Sequence, residues 1–268
     1  MFLQIREAAF AFRRSIVSRG IVRSFVHFAR RAVSSGHMRS ALINQAHPFD
    51  VEYGLETSGL ISGRELVSGH AHDSDSTAYY GIAPSIFRNV LTQWRGAVTA
   101  EGLNPGQFAF VDLGAGKGRA ILLASEYPFR KVIGVELNRE LAQAAERNAE
   151  RWKNLGHARC EIQVLNQDAT EFTWPEAPLL VFLFNPFGRR VVAKVLQKLK
   201  EQADQSGKPV DVLYVNPEFA FVLDRFPSIR KLWSHRIEMT SSDRAVDVFS
   251  SQSELCKAYR IERQAEPR

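Results

Sequence analysis

Short apolar runs alternate with longer amphipathic segments from residue 108 onward. The apolar runs have the length of buried strands, and helical periodicity fills the stretches between them. This alternation predicts a doubly wound α/β fold, in which a mostly parallel sheet carries helices on both faces. The predicted strands are 108–113, 131–136, 161–165, 179–184 and 210–215, and the predicted helices are 119–127, 139–152, 190–202 and 218–226.

Two further strands are predicted near the end of the chain, over residues 232–239 and 245–250. Only a short polar turn separates them, so they are expected to form an antiparallel hairpin at one edge of a seven-strand sheet. The domain is therefore predicted to span residues 108–252, and residues 253–268 are expected to be a C-terminal tail.

The segment before this domain, residues 36–107, is predicted to be a connector that ends in one helix. Its first part is rich in Gly, Ser, His and Asp and shows little periodicity, and its length is typical of a lid or pocket wall. Apolar residues recur at helical spacing over residues 84–95, and Pro84 suits the first turn of a helix.

Residues 1–35 are predicted to form a basic amphipathic helical arm, with Val17, Ile21 and Phe25 on one apolar stripe. The chain has a formal net charge of +6, but residues 1–40 alone carry eight arginines and one acid, so the remainder has a net charge of −1. Two interpretations are open. The arm contacts an anionic membrane surface or nucleic-acid phosphates, or it packs its stripe on the body. An organellar presequence is a less favoured third interpretation.

Two features of the composition bear on the compartment. The cysteines, Cys160 and Cys256, are far apart and belong to no C-x-x-C pair, so neither a disulfide framework nor a structural zinc site is indicated. No run of 18 apolar residues occurs, so no transmembrane segment is expected. A reducing, cytoplasmic location is therefore predicted.

A glycine-rich turn follows the first predicted strand and opens a helix, with the sequence Asp112-Leu113-Gly114-Ala115-Gly116-Lys117-Gly118. Glycines suit a sharp turn that a ligand approaches closely. The dinucleotide fingerprint G-x-G-x-x-G fails because Arg119 stands at its last position, and no G-K-[ST] of a phosphate-binding loop follows.

The acid-x-G-x-G-x-G pattern resembles motif I of the class I S-adenosylmethionine-dependent methyltransferases. Glu136 ends the second strand, Asp168-Ala169 follows the third, and Asn185-Pro186 follows the fourth, where this family has its further motifs. Each acid alone is more typical of a solvated strand end. The four motifs together, however, all lie at the carboxyl ends of strands, the edge at which open sheets bind ligands. Over residues 108–251, the resemblance implies S-adenosylmethionine as cofactor, bound by Asp112, Gly114, Ala115, Gly116, Gly118, Glu136, Leu137, Asp168, Ala169 and Asn185.

Upstream stretches, including residues 49–59, are similar to a group of uncharacterised bacterial methyltransferases. The motif I stretch, with the run D-L-G-x-G-x-G-R, is also similar to that of the seven-strand lysine methyltransferases. Neither likeness identifies the methyl acceptor.

Catalysis is expected at the fourth strand, by Asn185, Pro186 and Phe187, with Tyr80 leaning over the methionine end of the cofactor. Similar enzymes that methylate nitrogen often carry [DN]-P-P-[FYW] there, whereas this chain lacks the second proline. This departure still permits a nitrogen acceptor but weakens the case for a planar base or amide. Phe187 is equally interpreted as a pocket-wall or core aromatic.

The predicted function is N-methylation of a macromolecule, either a protein lysine or an RNA base. A small-molecule acceptor and a non-catalytic cofactor-binding module recruited through the basic arm are the alternatives. His70 and His72, with Asp73 and Asp75, offer a metal-binding pattern, but a polar loop is the favoured interpretation and no metal is predicted.

Overall fold

The computed structural model describes residues 45–263 except residues 64, 67, 71, 248 and 250. The predicted arm over residues 1–35 lies outside these residues, as do residues 264–268, and the arm stays a prediction. None of the helices within the described part is long and apolar enough to cross a membrane.

Seven helices and nine strands occur in the described part of the chain. The helices are α1 (Pro48–Tyr53), α2 (Pro84–Ala100), α3 (Arg119–Ser125), α4 (Arg139–Asn154), α5 (Arg189–Ser206), α6 (Ala220–Asp224) and α7 (Ser241–Ala245). The strands are β1 (Leu60–Ile61), β2 (Tyr79–Tyr80), β3 (Ala109–Leu113), β4 (Lys131–Glu136), β5 (Ile162–Asn166), β6 (Leu179–Phe184), β7 (Val210–Val215), β8 (Ile229–Glu238) and β9 (Ser253–Ile261).

Strands β3 to β9 form one sheet in the order β5-β4-β3-β6-β7-β9-β8. The first five of these in the sheet are parallel, and β9 runs antiparallel to both β7 and β8. Apolar residues of α2, α3 and α4 pack on one face, and those of α5 and α6 pack on the other. The predicted doubly wound seven-strand sheet is confirmed.

The end of the chain differs from the prediction. The prediction of a strand over residues 245–250 is wrong for the described residues 245–247 and 249, which lie in no strand, and the last described strand is β9, within the expected tail. β9 lies between β7 and β8 in the sheet. The apolar pattern of the sequence did not predict β9 because two charged residues of this strand, Glu254 and Arg260, are buried. Its inward face is therefore partly charged.

Arg260 is buried because an acid on the neighbouring strand holds it. Its Nε and Nη2 atoms donate to the two carboxylate oxygens of Asp211 at 2.6 and 2.7 Å, and Trp94 Nε1 donates to the same carboxylate at 2.8 Å. This cluster joins α2, β7 and β9, and so it fixes the last strand and the helix before the domain to the same sheet.

Replacing Asp211 with Ala is expected to lower the free energy of unfolding by about 3–5 kcal/mol, since the change leaves the buried guanidinium of Arg260 without its main partner. Urea unfolding of the variant measures this. Glu56→Ala is the matched control, because it removes an exposed acid that lies 3.9 Å from Arg147 and should leave stability nearly unchanged. Equal effects of the two changes would contradict the importance of the Asp211 cluster.

Candidate functional site

The glycine-rich turn leaves the carboxyl end of β3 in a conformation that only glycine adopts readily. Gly114, Gly116 and Gly118 have φ angles of 78°, 56° and 92°. A Cβ on Gly114 would lie 2.5 Å from Pro186 Cβ, and one on Gly116 would lie 2.2 Å from the ring of Tyr79. The turn is thus held closely between the segment after β6 and the connector.

Two buried carboxyls lie beside this turn. Glu136, at the end of β4, accepts hydrogen bonds from the backbone amides of Gly116 and Asn138, each at 2.8 Å. Asp112 is 3% exposed. Burial, together with the nearby charge of Glu136, raises the pKa of Asp112 to about 8, and burial also raises the pKa of Glu136. The site therefore holds negative charge only at a cost, which a bound cation or hydrogen-bond donor would offset.

These groups line a cavity at the carboxyl edge of the sheet, here called the main cavity. It brings together most of the residues predicted to bind a cofactor or to act in catalysis. Those on its wall are Asp112, Gly114, Ala115, Gly116, Glu136, Leu137, Asp168, Ala169, Pro186, Phe187 and Tyr80.

Two predicted residues do not line the main cavity. Gly118 caps the start of α3, where an added Cβ would lie 3.1 Å from the Cβ of Ala145. Asn185 lines only the cavity next to the main one, and its side chain is hydrogen-bonded to two others. The hydroxyl of Tyr214 donates to Asn185 Oδ1 at 3.3 Å, and Asn185 Nδ2 donates to Glu218 Oε2 at 3.3 Å.

Asn185 also holds the connector through its backbone. It has a φ of 43°, which is unusual for a residue other than glycine. Its carbonyl accepts a hydrogen bond from Thr77 Oγ1 at 2.8 Å, and the amide of Thr77 donates to the Pro186 carbonyl at 3.3 Å. The strained turn after β6 is therefore fixed by the connector that crosses it.

A second cavity, here called the adjoining cavity, opens beside the main one. Thr77, Ala78, Tyr80 and Phe184 line both cavities. The remaining wall of the adjoining cavity is formed by Leu60, Asn185, Asn216, Phe249, Ser251 and Glu254. Tyr80 is therefore a shared wall, and its hydroxyl donates to Asp247 Oδ1 at 2.5 Å.

The side chains of His70 and His72, in the connector, lie beside Asp168. His72 Nδ1 lies 2.8 Å and His70 Nε2 lies 3.7 Å from Asp168 Oδ2. Burial opposes the charge of Asp168, but hydrogen bonds from Thr170 and the neighbouring His72 hold its pKa below the usual range. The polar-loop interpretation of His70, His72, Asp73 and Asp75 stays a prediction, and Asp73 accepts hydrogen bonds from the backbone amides of residues 68–70. The two histidines and Asp168 could together supply three metal ligands.

The sequence did not indicate the cluster that attaches the connector to the sheet. Arg119 is 4% exposed, and its Nε donates to Thr57 Oγ1 at 2.6 Å. Thr57 Oγ1 in turn donates to Asp50 Oδ1 at 2.5 Å, and Ser58 Oγ donates to Asp50 Oδ2 at 2.6 Å. The available signal was an arginine directly after the glycine-rich turn, together with polar residues at positions 50, 57 and 58.

Tyr79 was also missed, although its neighbour Tyr80 was predicted. The ring of Tyr79 packs on Gly116, and its hydroxyl donates to the carbonyl of Thr57 at 2.7 Å. Burial raises the pKa of Tyr79 well above its usual value, so the hydroxyl stays protonated. Consecutive residues of β2 thus serve the two cavities, Tyr79 at the glycine-rich turn and Tyr80 at the shared wall.

Comparison with known proteins found structural similarities but no matching sequence. No protein-family model matches the chain, and neither does any curated protein sequence. Solved structures similar to it include PH1948 from Pyrococcus horikoshii, assigned as an RNA methyltransferase (20% identity, 68% of this chain, 83% of that chain, TM-score 0.45). A second is magnesium protoporphyrin IX methyltransferase from Synechocystis PCC 6803 with bound S-adenosylmethionine (14% identity, 66% of this chain, 79% of that chain, TM-score 0.43). A third is yhhF from Escherichia coli, assigned as a methyltransferase (18% identity, 66% of this chain, 87% of that chain, TM-score 0.44).

The chain's own sheet has the predicted architecture, with seven strands of which β9 runs antiparallel to its two neighbours. The chain has a doubly wound α/β fold.

The contact between Gly116 and Tyr79 makes a prediction about stability. An alanine in the left-handed conformation costs about 1–2 kcal/mol. Gly116→Ala should lower the free energy of unfolding by more than this, because the ring of Tyr79 must also move to make room for the added Cβ. Gly96→Ala is the control, since no atom lies within 4 Å of its added Cβ in α2, and it should stabilise by about 0.5–1 kcal/mol. Urea unfolding of both variants measures the difference, and a neutral Gly116→Ala would refute the close packing of the turn.

Proposed function

We propose that the protein is an S-adenosylmethionine-dependent methyltransferase that acts on nitrogen. One observation carries the proposal. Asp112, Glu136 and Asp168, which come from the ends of three neighbouring strands, line one cavity beside the glycine-rich turn. This is the edge of an open sheet at which ligands bind.

The chemistry of these groups fits the cofactor. S-adenosylmethionine presents hydrogen-bond donors along its length, namely an ammonium group, a ribose diol and an adenine amino group. Carboxylates accept such donors, and each carboxylate has several acceptor sites, so Glu136 keeps acceptor capacity besides its two backbone partners. Asp112 would hold the methionine end, Glu136 the ribose hydroxyls and Asp168 the adenine amino group.

When bound, S-adenosylmethionine supplies a methyl group on a positively charged sulfonium, and the acceptor nitrogen forms its bond to carbon as the carbon–sulfur bond breaks. The protein's own contribution is to position the acceptor. We assign this role to Tyr80, Asn185, Pro186 and Phe187, which lie at or beside the boundary between the two cavities. The amide of Asn185 is held by Tyr214 and Glu218, so it is a fixed part of the wall.

The acceptor we favour is a macromolecule, either a protein lysine or an RNA base, and a small molecule is the alternative. The near-neutral charge of the chain beyond residue 40 gives no support to a phosphate-rich partner. In this proposal the basic arm over residues 1–35 serves to dock the enzyme, in the cytoplasm, on an anionic surface. A non-catalytic cofactor-binding module is the second candidate, and it predicts cofactor binding without methyl transfer.

Changing Asp112 to Asn is expected to have opposite effects on cofactor binding and on stability. The affinity for S-adenosylmethionine should fall by at least roughly tenfold, since a hydrogen bond to a charged group contributes about 1.5–3 kcal/mol. Because the pKa of Asp112 is raised to about 8 in the folded protein, the unliganded wild type loses stability as the pH rises from about 4 to 8. The variant lacks this loss, so its melting temperature at pH 8 should exceed that of the wild type.

Calorimetry and thermal unfolding measure these two effects. Asp204→Asn is the control, because the partly exposed carboxylate of Asp204 pairs with Lys200 on α5, away from both cavities. A wild type that does not bind S-adenosylmethionine would refute the proposed function, and an unchanged affinity in Asp112→Asn would refute the role of this carboxyl.

Transfer of a labelled methyl group from S-adenosylmethionine into fractionated cell lysate tests the acceptor class. The expected result is label in a macromolecular fraction, which either protease or nuclease treatment releases. Label confined to small metabolites would contradict a macromolecular acceptor, and cofactor binding without any transfer would favour the non-catalytic module.

A further inference from the structure

The adjoining cavity combines aromatic walls with buried acids. Tyr80 and Phe249 approach each other with ring centroids 5.0 Å apart, and Phe184 lies 6.2 Å from Tyr80 on another side. Glu254 of β9 also lines this cavity and is 8% exposed. Asp247 lies behind Tyr80 and accepts the hydrogen bond from its hydroxyl.

The charges around the cavity are mainly negative. Among the described residues, no lysine or arginine lines it. The pKa of Glu254 is raised to about 7, mainly by burial and also by the charge of Asp247. The hydrogen bond from Asn216 and the charge of Arg236 act in the opposite direction and lower this pKa. Tyr80 and Cys256 are the other titratable groups near Glu254, and burial raises the pKa of each, so both stay protonated.

We propose that the adjoining cavity binds the amine end of an aliphatic side chain, that of a lysine in a protein acceptor, and that Glu254 takes up the proton the amine must lose. This inference rests on the proposed function and names its acceptor. Aromatic faces and a carboxylate both attract an ammonium group, and the aromatic walls also cover an aliphatic stem.

The proton balance explains the need for a base. An alkylammonium nitrogen has no lone pair, so it must lose one proton before it can form a bond to the methyl carbon. The carboxylate of Glu254 accepts that proton and becomes a neutral carboxyl, while the ammonium becomes a neutral amine. Four residues line both cavities, so the adjoining cavity lies directly beside the main cavity in which the cofactor is proposed to bind.

An RNA base is less consistent with this wall. Phosphate groups beside the base would approach Glu254 and Asp247 without a basic residue of the lining to compensate them. The acid that favours an ammonium group therefore disfavours a polyanion.

The test uses n-butylamine as a probe of the lysine side chain and the full-length protein saturated with S-adenosylhomocysteine. Calorimetry at pH 7 in two buffers of different ionisation heat gives both the affinity and the protons exchanged. The ammonium form of the probe stabilises the charged form of Glu254 and so lowers the pKa of this carboxyl. Binding of the probe should therefore release a fraction of a proton from Glu254. Glu254→Gln should abolish this release and weaken binding roughly 30-fold, as for loss of one partner of a buried charge pair.

Two controls separate charge from folding. Glu238→Gln changes an exposed acid on β8, and it should bind n-butylamine as the wild type does. The uncharged probe n-butanol should bind Glu254→Gln no more weakly than the wild type. Normal binding of S-adenosylhomocysteine by Glu254→Gln shows that this variant is folded.

The outcomes distinguish the two proposals. If the wild type fails to bind S-adenosylhomocysteine, the proposed function itself is overturned. If it binds S-adenosylhomocysteine but not n-butylamine, or if Glu254→Gln binds n-butylamine equally well, only the amine site is overturned. Binding of adenosine monophosphate in place of n-butylamine would indicate a nucleic-acid acceptor and would also overturn it.

Discussion

The buried guanidinium of Arg119 is the constraint on which the candidate site depends. A buried charge is stable only when its partners are in place, and removing the charged partner of a buried ion pair costs about 3–5 kcal/mol. Here the partners come from the connector. They are the carboxylate of Asp50, the side chains of Thr57 and Ser58 and the carbonyls of Gly81 and Ile82. Arg119 begins α3 directly after the glycine-rich turn, so its partners fix the connector over that turn.

The position of the connector in turn shapes both cavities. Between its two attachments to Arg119 it supplies Tyr79 against Gly116, Tyr80 at the shared wall and Thr77 against the strained turn at Asn185. The ends of the parallel strands supply the acids, whereas the connector supplies the aromatic surface. Neither the sheet edge nor the connector alone forms the site, and the contacts of Arg119 hold the two in one arrangement.

The sequence predicted those parts whose signals are local. Alternating strands and helices predicted the sheet, and the resemblance to methyltransferase motifs identified Glu136 and Asp168, which follow strands and therefore lie at one edge of the sheet. The contacts of Arg119 join residues 62 positions apart, and no local pattern distinguishes its buried charge from a solvated one. β9 was missed for a related reason, since buried Glu254 and Arg260 interrupt its apolar alternation. In both cases a buried charge had partners that only the fold brings close.

The most direct test of the account is the position of S-adenosylhomocysteine in a crystal structure of the full chain. The account predicts density for the ligand in the main cavity, with the ribose hydroxyls at Glu136, the amino-acid end near Asp112 and the adenine near Asp168. Density elsewhere, or a main cavity that stays empty at saturating ligand, would contradict it.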